Sequence, residues 1–404
     1  MRKKWWLFHA TDFQSLMYPC FFFCYIIGIF PYKLNASIFI VSKPYYILST
    51  MIICIGVFLN LVFIYDIIIS KYNFGDLTKN IRAINYHTLS GFIAITTHIW
   101  SGPRMRLLQT ILEISSKLSP NSYQKLSKLI HIKDIFGTIL LIVQLSIYYS
   151  KNIIFETNCM VVLVTVYAIY FALLQFQVNM LYINCVCIIK ACFKSINENL
   201  MHIQMLIKND IKPYIKFICC TQRNQFFLIK LKILKKRHLM ISDAVQAMNI
   251  VFSLQLFATV VIIFIEITFE LYFYIVRWQN GVFFSLDKQI LDVLLMSTGY
   301  NILKIMLLAW ACETGKNQAQ EIGTTIHDLF SSTNDKQIKN ELYLFSLQIL
   351  HRKNTFSAKV FTVDAMFLAT IVSNVATYLI ILIQFLNISH SCDEKTAINV
   401  TLFN

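Results

Sequence analysis

Seven stretches of this chain are apolar over runs long enough to leave water. They lie at 46–69, 83–102, 135–150, 159–188, 246–276, 290–312 and 360–386. Most approach or exceed the roughly 20 residues that a helix needs to cross about 30 Å of hydrocarbon. None alternates with the roughly ten-residue pattern of an outer-membrane strand, so helices are the expected way of satisfying the backbone in lipid. Composition agrees, because 57% of the 404 residues are hydrophobic and only 14% are charged, too apolar a balance for a water-soluble chain of this size. The expected fold class is all-α: a polytopic membrane protein with seven transmembrane helices.

The net charge of +15 is distributed as a topology signal and asks for no nucleic acid. With the N-terminus in the cytoplasm, 28 of the 36 Lys and Arg residues fall on the cytoplasmic side, 7 on the other, and Lys304 within a span. The positive-inside rule therefore places the N-terminus in the cytoplasm and, after seven crossings, the C-terminus outside. That layout is inverted relative to G-protein-coupled receptors. The sequons at Asn387 and Asn399 follow the last span, where an outside tail makes them glycosylation candidates. Asn35-Ala-Ser, on the expected cytoplasmic side, shows how little one such triplet means. Residues 1–45 then form a cytoplasmic segment with a short membrane-embedded or interfacial helix, since no small-residue cleavage site follows "CFFFCYIIGIF". Helices one to four occupy 46–188, cytoplasmic helical extensions 189–245, helices five and six 246–312, a cytoplasmic helical hairpin 313–359, helix seven 360–386 and an extracellular tail 387–404. Of the eleven cysteines, none shows metal-ligand spacing. Cys159 and Cys392 alone fall on the oxidising side and form a candidate disulfide.

The cytoplasmic extensions carry narrow apolar stripes. Phe193, Ile196, Leu200, Ile203 and Ile207 recur at helical spacing, as do Phe227, Leu231, Leu234, Ile241 and Val245, the latter interrupted by "KKRH". Ala319, Ile322, Ile326 and Leu329 face Ile338, Leu342, Phe345 and Ile349 across "SSTNDK". Such stripes must bury against one another or against further copies of the chain.

Ionisable residues inside spans are the first place to look for function. Glu266 and Glu270 share one face of span five, and Ser297, Asn301 and Lys304 share one face of span six. At roughly 1.5 Å per residue, Glu266 and Lys304 lie at depths of about 15 and 21 Å from the outer side, which makes them a candidate ion pair. Asp66 and His87 form a second candidate pair. A small-molecule pocket suits the outer half of spans two to six. There Asn85, His87, Tyr148, Tyr149, Tyr167, Tyr170, Glu266, Thr268, Glu270, Tyr272, Thr298, Tyr300 and Asn301 offer aromatic walls and a few polar groups. Phosphate-cradling loops, paired-histidine metal motifs and serine elbows do not occur, so neither an enzyme nor a cofactor is expected. The halves of the chain do not repeat one another, which leaves nothing in favour of active transport.

The final span ends in "TYLIILIQF". On a helix, Thr377, Ile381, Gln384 and Ile388 share a face. A buried amide without a partner costs about 1–3 kcal/mol. Gln384 therefore makes either one hydrogen bond to a neighbouring helix or part of a ring of copies around a wet axis, with Ile381 closing the pore by dewetting.

The pattern Thr-Tyr, five hydrophobic residues, Gln-Phe resembles the signature of the insect gustatory receptor family. Thr377, Tyr378, Gln384 and Phe385 match its four fixed positions, and the chain length and inverted layout resemble that family throughout. The resemblance implies a homo- or heterotetrameric, ligand-gated, non-selective cation channel of the plasma membrane of sensory neurons. It implies subunits joined by their cytoplasmic helices, a tastant pocket in the outer half of each, and a gate at Thr377, Tyr378, Ile381, Gln384 and Phe385. Leu379 stands where the main sugar subfamily tends to carry an acidic residue, which leans towards other tastants. A metabotropic seven-helix receptor and a membrane transporter are the alternatives.

Overall fold

The computed structural model of the protein describes residues 8–35, 38–69, 77–152, 159–209, 217–279, 288–358 and 361–401. The described chain is almost wholly helical. A short α1 (Phe13–Ile27) is followed by an antiparallel pair, β1 (Tyr32–Asn35) and β2 (Ile38–Val41), in the register Tyr32↔Val41. Helices α2 (Lys43–Ile68), α3 (Leu77–Ile99), α4 (Ser101–Ser115), α5 (Pro120–Asn152), α6 (Cys159–Asn209), α7 (Phe217–Val251), α8 (Ser253–Gln279), α9 (Lys288–Ser332) and α10 (Lys336–His351) follow. A two-residue pair, β3 (Ser357–Ala358) and β4 (Phe361–Thr362), leads into α11 (Ala365–Thr401). The two small hairpins are a departure from the all-helical expectation; both are connectors, and the fold remains all-α.

Local chemistry sets several boundaries. Asp12 and Ser15 form a capping box at the start of α1, satisfying two N–H groups that the first turn leaves open. Its end falls at Gly28, whose φ of 82° is a left-handed conformation that a side chain resists. Pro103 stands in the first turn of α4, where a missing N–H costs nothing. Asp335 caps α10 through Gln337 N at 2.8 Å and Ile338 N at 3.0 Å, so the α9–α10 turn is fixed by its own sequence.

Among the described residues, six helices are long and apolar enough to cross a membrane: α2, α5, α6, α8, α9 and α11. The stretch expected as the second span is α3, 23 residues long, which begins six residues earlier and carries Lys79 and Arg82. It covers about 35 Å, so length suffices, and its Arg82, His87 and His98 find partners on Glu266, Asn60 and Thr50. At 51 residues, α6 covers about 75 Å, more than twice the hydrocarbon thickness, and α9 packs along it. Together they form one continuous spine. Arg104 of α4 is fully buried. Its guanidinium lies 5.1 Å from the Phe252 ring and donates to Thr97 O at 3.3 Å.

The apolar stripes bury against one another within a single chain. Phe193, Ile196, Leu200 and Ile203 of α6, Leu231 and Leu234 of α7, Ile322 and Leu329 of α9 and Leu342 and Phe345 of α10 belong to one core. "KKRH" does not interrupt α7; the helix runs through it, and His238 joins the buried stripe between the rings of Phe193 and Phe345. Gln348 Nε2 donates to His238 Nδ1 at 3.0 Å, and burial pushes this histidine down to about 4. Burial likewise pushes the Cys192 thiol up to about 12, so it packs as a small apolar group.

Candidate functional site

A charged cluster ties three long helices together. Arg82 of α3 donates from Nε to Glu266 at 3.0 Å and from Nη2 to Glu270 at 2.8 Å. Glu266 and Glu270 stand one turn apart on α8, so one planar guanidinium reaches both. Glu270, whose side chain is 1% exposed, also accepts from Ser297 and from Thr298 Oγ1, the latter at 2.8 Å. Gln144 of α5 approaches Ser297 Oγ at 3.4 Å. Each Glu270 oxygen is thereby occupied, and α3, α8 and α9 are joined at one point.

In this arrangement Glu266 and Lys304 form no direct ion pair. The Glu266 carboxylate is taken by Arg82, and Lys304 Nζ lies 5.9 Å from the Tyr300 ring centre. Lys304 lines a small cavity with Asn179, Thr259 and Phe176, among other residues. The pair of Asp66 and His87 is also replaced, because His87 Nδ1 lies 2.9 Å from Asn60 Oδ1.

The other candidate pocket residues divide among separate places. His87 packs between the rings of Phe63 at 5.0 Å and Tyr86 at 5.6 Å. Tyr170 donates to Ile27 O at 3.0 Å and meets Tyr167 edge-on. Thr268 returns its hydroxyl to Phe264 O at 2.8 Å, a local bond within its own helix. Tyr272 and Asn301 are buried, Asn85 is half-buried, and Tyr300 packs against Leu141, Phe176 and Met180. Glu266, Glu270 and Thr298 are brought together, and Arg82 is the functional candidate that sequence reasoning missed. Its signal was available: two glutamates on one helix face call for a cation at matching depth, and Arg82 lies near the outer end of α3. The side chains of Tyr148, Tyr149, Cys159, Phe385, Asn387, Cys392 and Asn399 lie outside the described residues.

Of the six long apolar helices, α11 is the one least covered by its own chain. Only 11% of its most apolar window is buried, against 89% for α6. Ile371 and Val375 face the bundle, and Tyr378 meets Phe264 edge-on at 5.6 Å. On one side of that contact lies an exposed row: Thr370, Asn374, Thr377, Ile381 and Gln384, at spacings of four and three residues that keep one helix face. The hydroxyls of Thr370 and Thr377 bond back to Met366 O and Ser373 O. Opposite this row stand exposed Val372 and Ala376. The root of α11 is held: Asp364 accepts from Phe367 N at 3.1 Å and lies 3.7 Å from Lys316 of α9. Asn249 of α7 clamps the preceding strand through Thr355 O at 2.7 Å and Ser357 N at 3.1 Å.

Comparison with known proteins fits this architecture. The fold is similar to the insect olfactory receptor OR5 of Machilis hrabei, with a TM-score of 0.69 over 92% of this chain and 98% of that one at 14% identity. The same receptor in complex with eugenol gives a TM-score of 0.63. In sequence, the chain is 30% identical to gustatory receptor 28b of Drosophila melanogaster over 154 residues, and 33% identical to gustatory receptor 23a over 85. These alignments cover 37% and 21% of this chain, and about a third and a quarter of those relatives' length. The family model described as 7tm chemosensory receptor matches residues 17–386, from α1 to the exposed row of α11, and the chain belongs to that family.

Proposed function

We propose that the chain is one subunit of a gustatory-type cation channel opened by a small-molecule tastant, assembled as a homo- or heterotetramer in the plasma membrane of sensory neurons. The observation that carries this reading is the exposed row on α11. An amide such as Asn374 or Gln384 facing hydrocarbon is costly, so a helix that leaves both uncovered by its own subunit is best served by a watery axis shared with its copies. The apolar flank at Val372 and Ala376 then meets lipid or a neighbouring subunit. Thr377, Tyr378, Ile381, Gln384 and Phe385 form the gate, where a ring of isoleucines excludes water and amides meet hydrated ions. The outward-facing Phe226, Ile229 and Ile233 of α7 and Tyr343, Leu344 and Leu350 of α10 are free to join subunits, which makes the extension the assembly layer. Basic residues cluster on that side, which is the cytoplasmic one under this topology.

The tastant acts through the outer half of the subunit. The Arg82–Glu266–Glu270 cluster links α3 and α9 to α8, and α11 packs on α8 and α9. A ligand that favours one packing of these helices over another shifts the gate by its difference in affinity. OR5 was solved with eugenol bound, which supports a small organic ligand here. Asn387 and Asn399 are the glycosylation sites and Cys159–Cys392 the disulfide that an outside tail allows. The test is the purified chain in a planar bilayer: the channel reading predicts unitary cation currents without nucleotide or G protein. A protein that binds tastant in such a bilayer and passes no current, either alone or reconstituted with related receptor subunits, is not a channel, which leaves a metabotropic receptor or a transporter.

A further inference from the structure

A cavity of about 180 Å³ lies between α1, α5 and α6, with Pro19, Phe23, Ile135, Ile139, Phe176 and Met180 among its walls. It opens sideways. Phe23, Ile135 and Ile139 line it and are 46%, 41% and 54% exposed, and α5 is covered by the chain over only 17% of its most apolar window. The mouth therefore faces the surrounding lipid.

The polar groups at this cavity are already engaged. His131 Nε2 lies 3.0 Å from Leu16 O, Gln177 Nε2 donates to Cys20 O at 3.1 Å, and Thr138 donates to Asp134 O at 2.7 Å. Asp134 is bound by Lys133 and by Asn184 Nδ2, the latter at 2.9 Å. A site whose polar atoms are satisfied and whose walls are aliphatic and aromatic takes hydrocarbon in preference to water.

The face of α5 below the mouth supplies the rest of a ligand. Lys125, Lys128, Ile132, Ile135 and Ile139 are all exposed and recur at spacings of three and four, so two ammonium groups and three isoleucines share one helix face. Neither lysine forms an ion pair among the described residues. Lys128 lies about 10 Å and Lys125 about 15 Å along the axis from Ile135, which is the separation of a phosphate headgroup from the body of its tail. The geometry points to a binding site for one anionic phospholipid, with its headgroup at Lys125 and Lys128 and an acyl chain in the cavity between α1, α5 and α6. This site is independent of conduction and rests only on the chain spanning a bilayer. By holding α1 against α5 and α6, the lipid completes the packing of the bundle.

The test uses the full chain, purified from nanodiscs of phosphatidylcholine and phosphatidylserine in equal parts, with retained lipids identified by native mass spectrometry. One phosphatidylserine per chain is expected to survive. K125Q/K128Q, at exposed positions, should fold normally and lose the preference for phosphatidylserine by about tenfold or more. Thr138→Trp, which fills the cavity, should remove the retained lipid of either kind; Ile139→Trp replaces it if that variant does not elute as folded protein. Equal retention of the two lipids by the unmodified chain, a preference that survives K125Q/K128Q, or a retained fatty acid in place of phospholipid would each overturn the assignment.

Discussion

Replacing Arg82 with Met removes a guanidinium that holds two carboxylates and keeps most of its apolar stem. Glu266 and Glu270 have side chains 13% and 1% exposed, so neither recovers its hydration when the cation goes. Glu270 retains its bonds from Ser297 and Thr298, whereas Glu266 loses its charged partner. Breaking a buried ion pair from one side costs about 3–5 kcal/mol. With a globular protein's unfolding entropy of about 2.1 cal/mol/K per residue, a chain of this length should lose about 4–6 °C in Tm. Thermal unfolding of the purified protein reads this directly. The double variant Arg82→Met/Glu266→Gln should recover part of the loss, giving a coupling of about 2 kcal/mol. The parallel cycle of Lys304→Met with Glu266→Gln should give a clearly smaller one. A Tm unchanged within about 1 °C in Arg82→Met, or a Glu266 coupling stronger to Lys304 than to Arg82, would refute the cluster.

Three further outcomes follow from the packing. His238, held neutral at about 4 against about 6.5 when unfolded, makes the extension weaker as pH falls. Its contribution is complete above pH 6.5 and is lost towards pH 4, reaching about 3 kcal/mol; His238→Gln should flatten the difference in Tm between pH 7 and pH 4.5 relative to the unmodified chain. Gly315→Ala places a Cβ 2.6 Å from Phe356 Cε2 and 3.2 Å from Val186 Cγ1. With Phe356 only 2% exposed, the overpacking should cost about 1–3 kcal/mol in thermal unfolding, while Gly323→Ala, whose Cβ meets nothing closer than 3.9 Å, should raise Tm by about 1 °C through the better helix propensity of alanine. Gln384→Ala should change leak or permeation in patch recordings at normal surface expression; unaltered currents would remove it from the pore.

The helical membrane fold was legible because its two signals are strong: long apolar runs, and the three-and-four spacing of Phe193 to Ile203 or Ile338 to Phe345. Even His238 fits the spacing from Leu234 to Ile241, yet a basic tetrapeptide disguised it. Boundaries set by polar residues were harder. Lys79 and Arg82 read as loop because charge is costly in lipid, and only the partnership with Glu266 and Glu270 explains why α3 carries Arg82 inside the bundle. Ion pairs needed helix rotation as well as depth, which a sequence supplies for one helix at a time and not between two. That is why Glu266 was matched to Lys304 and His87 to Asp66. On α11 the row through Thr377, Ile381 and Gln384 was visible in the sequence. Its extension through Thr370 and Asn374 became apparent only once the helix stood uncovered on both flanks. The small strands at Tyr32–Asn35 and Ser357–Ala358 are too short to leave a period.

Cysteine substitution along α11 tests the central reading most directly. Single cysteines at Asn374, Thr377 and Gln384, and in parallel at Val372 and Ala376, are exposed to a cationic, membrane-impermeant thiol reagent during tastant-evoked current recording, with the unmodified chain as background. A wet shared axis predicts irreversible block at the first three positions and none at the other two. Block that follows Val372 and Ala376 instead, or modification that leaves current untouched at all five, would mean that the exposed row of α11 does not line the path of ions.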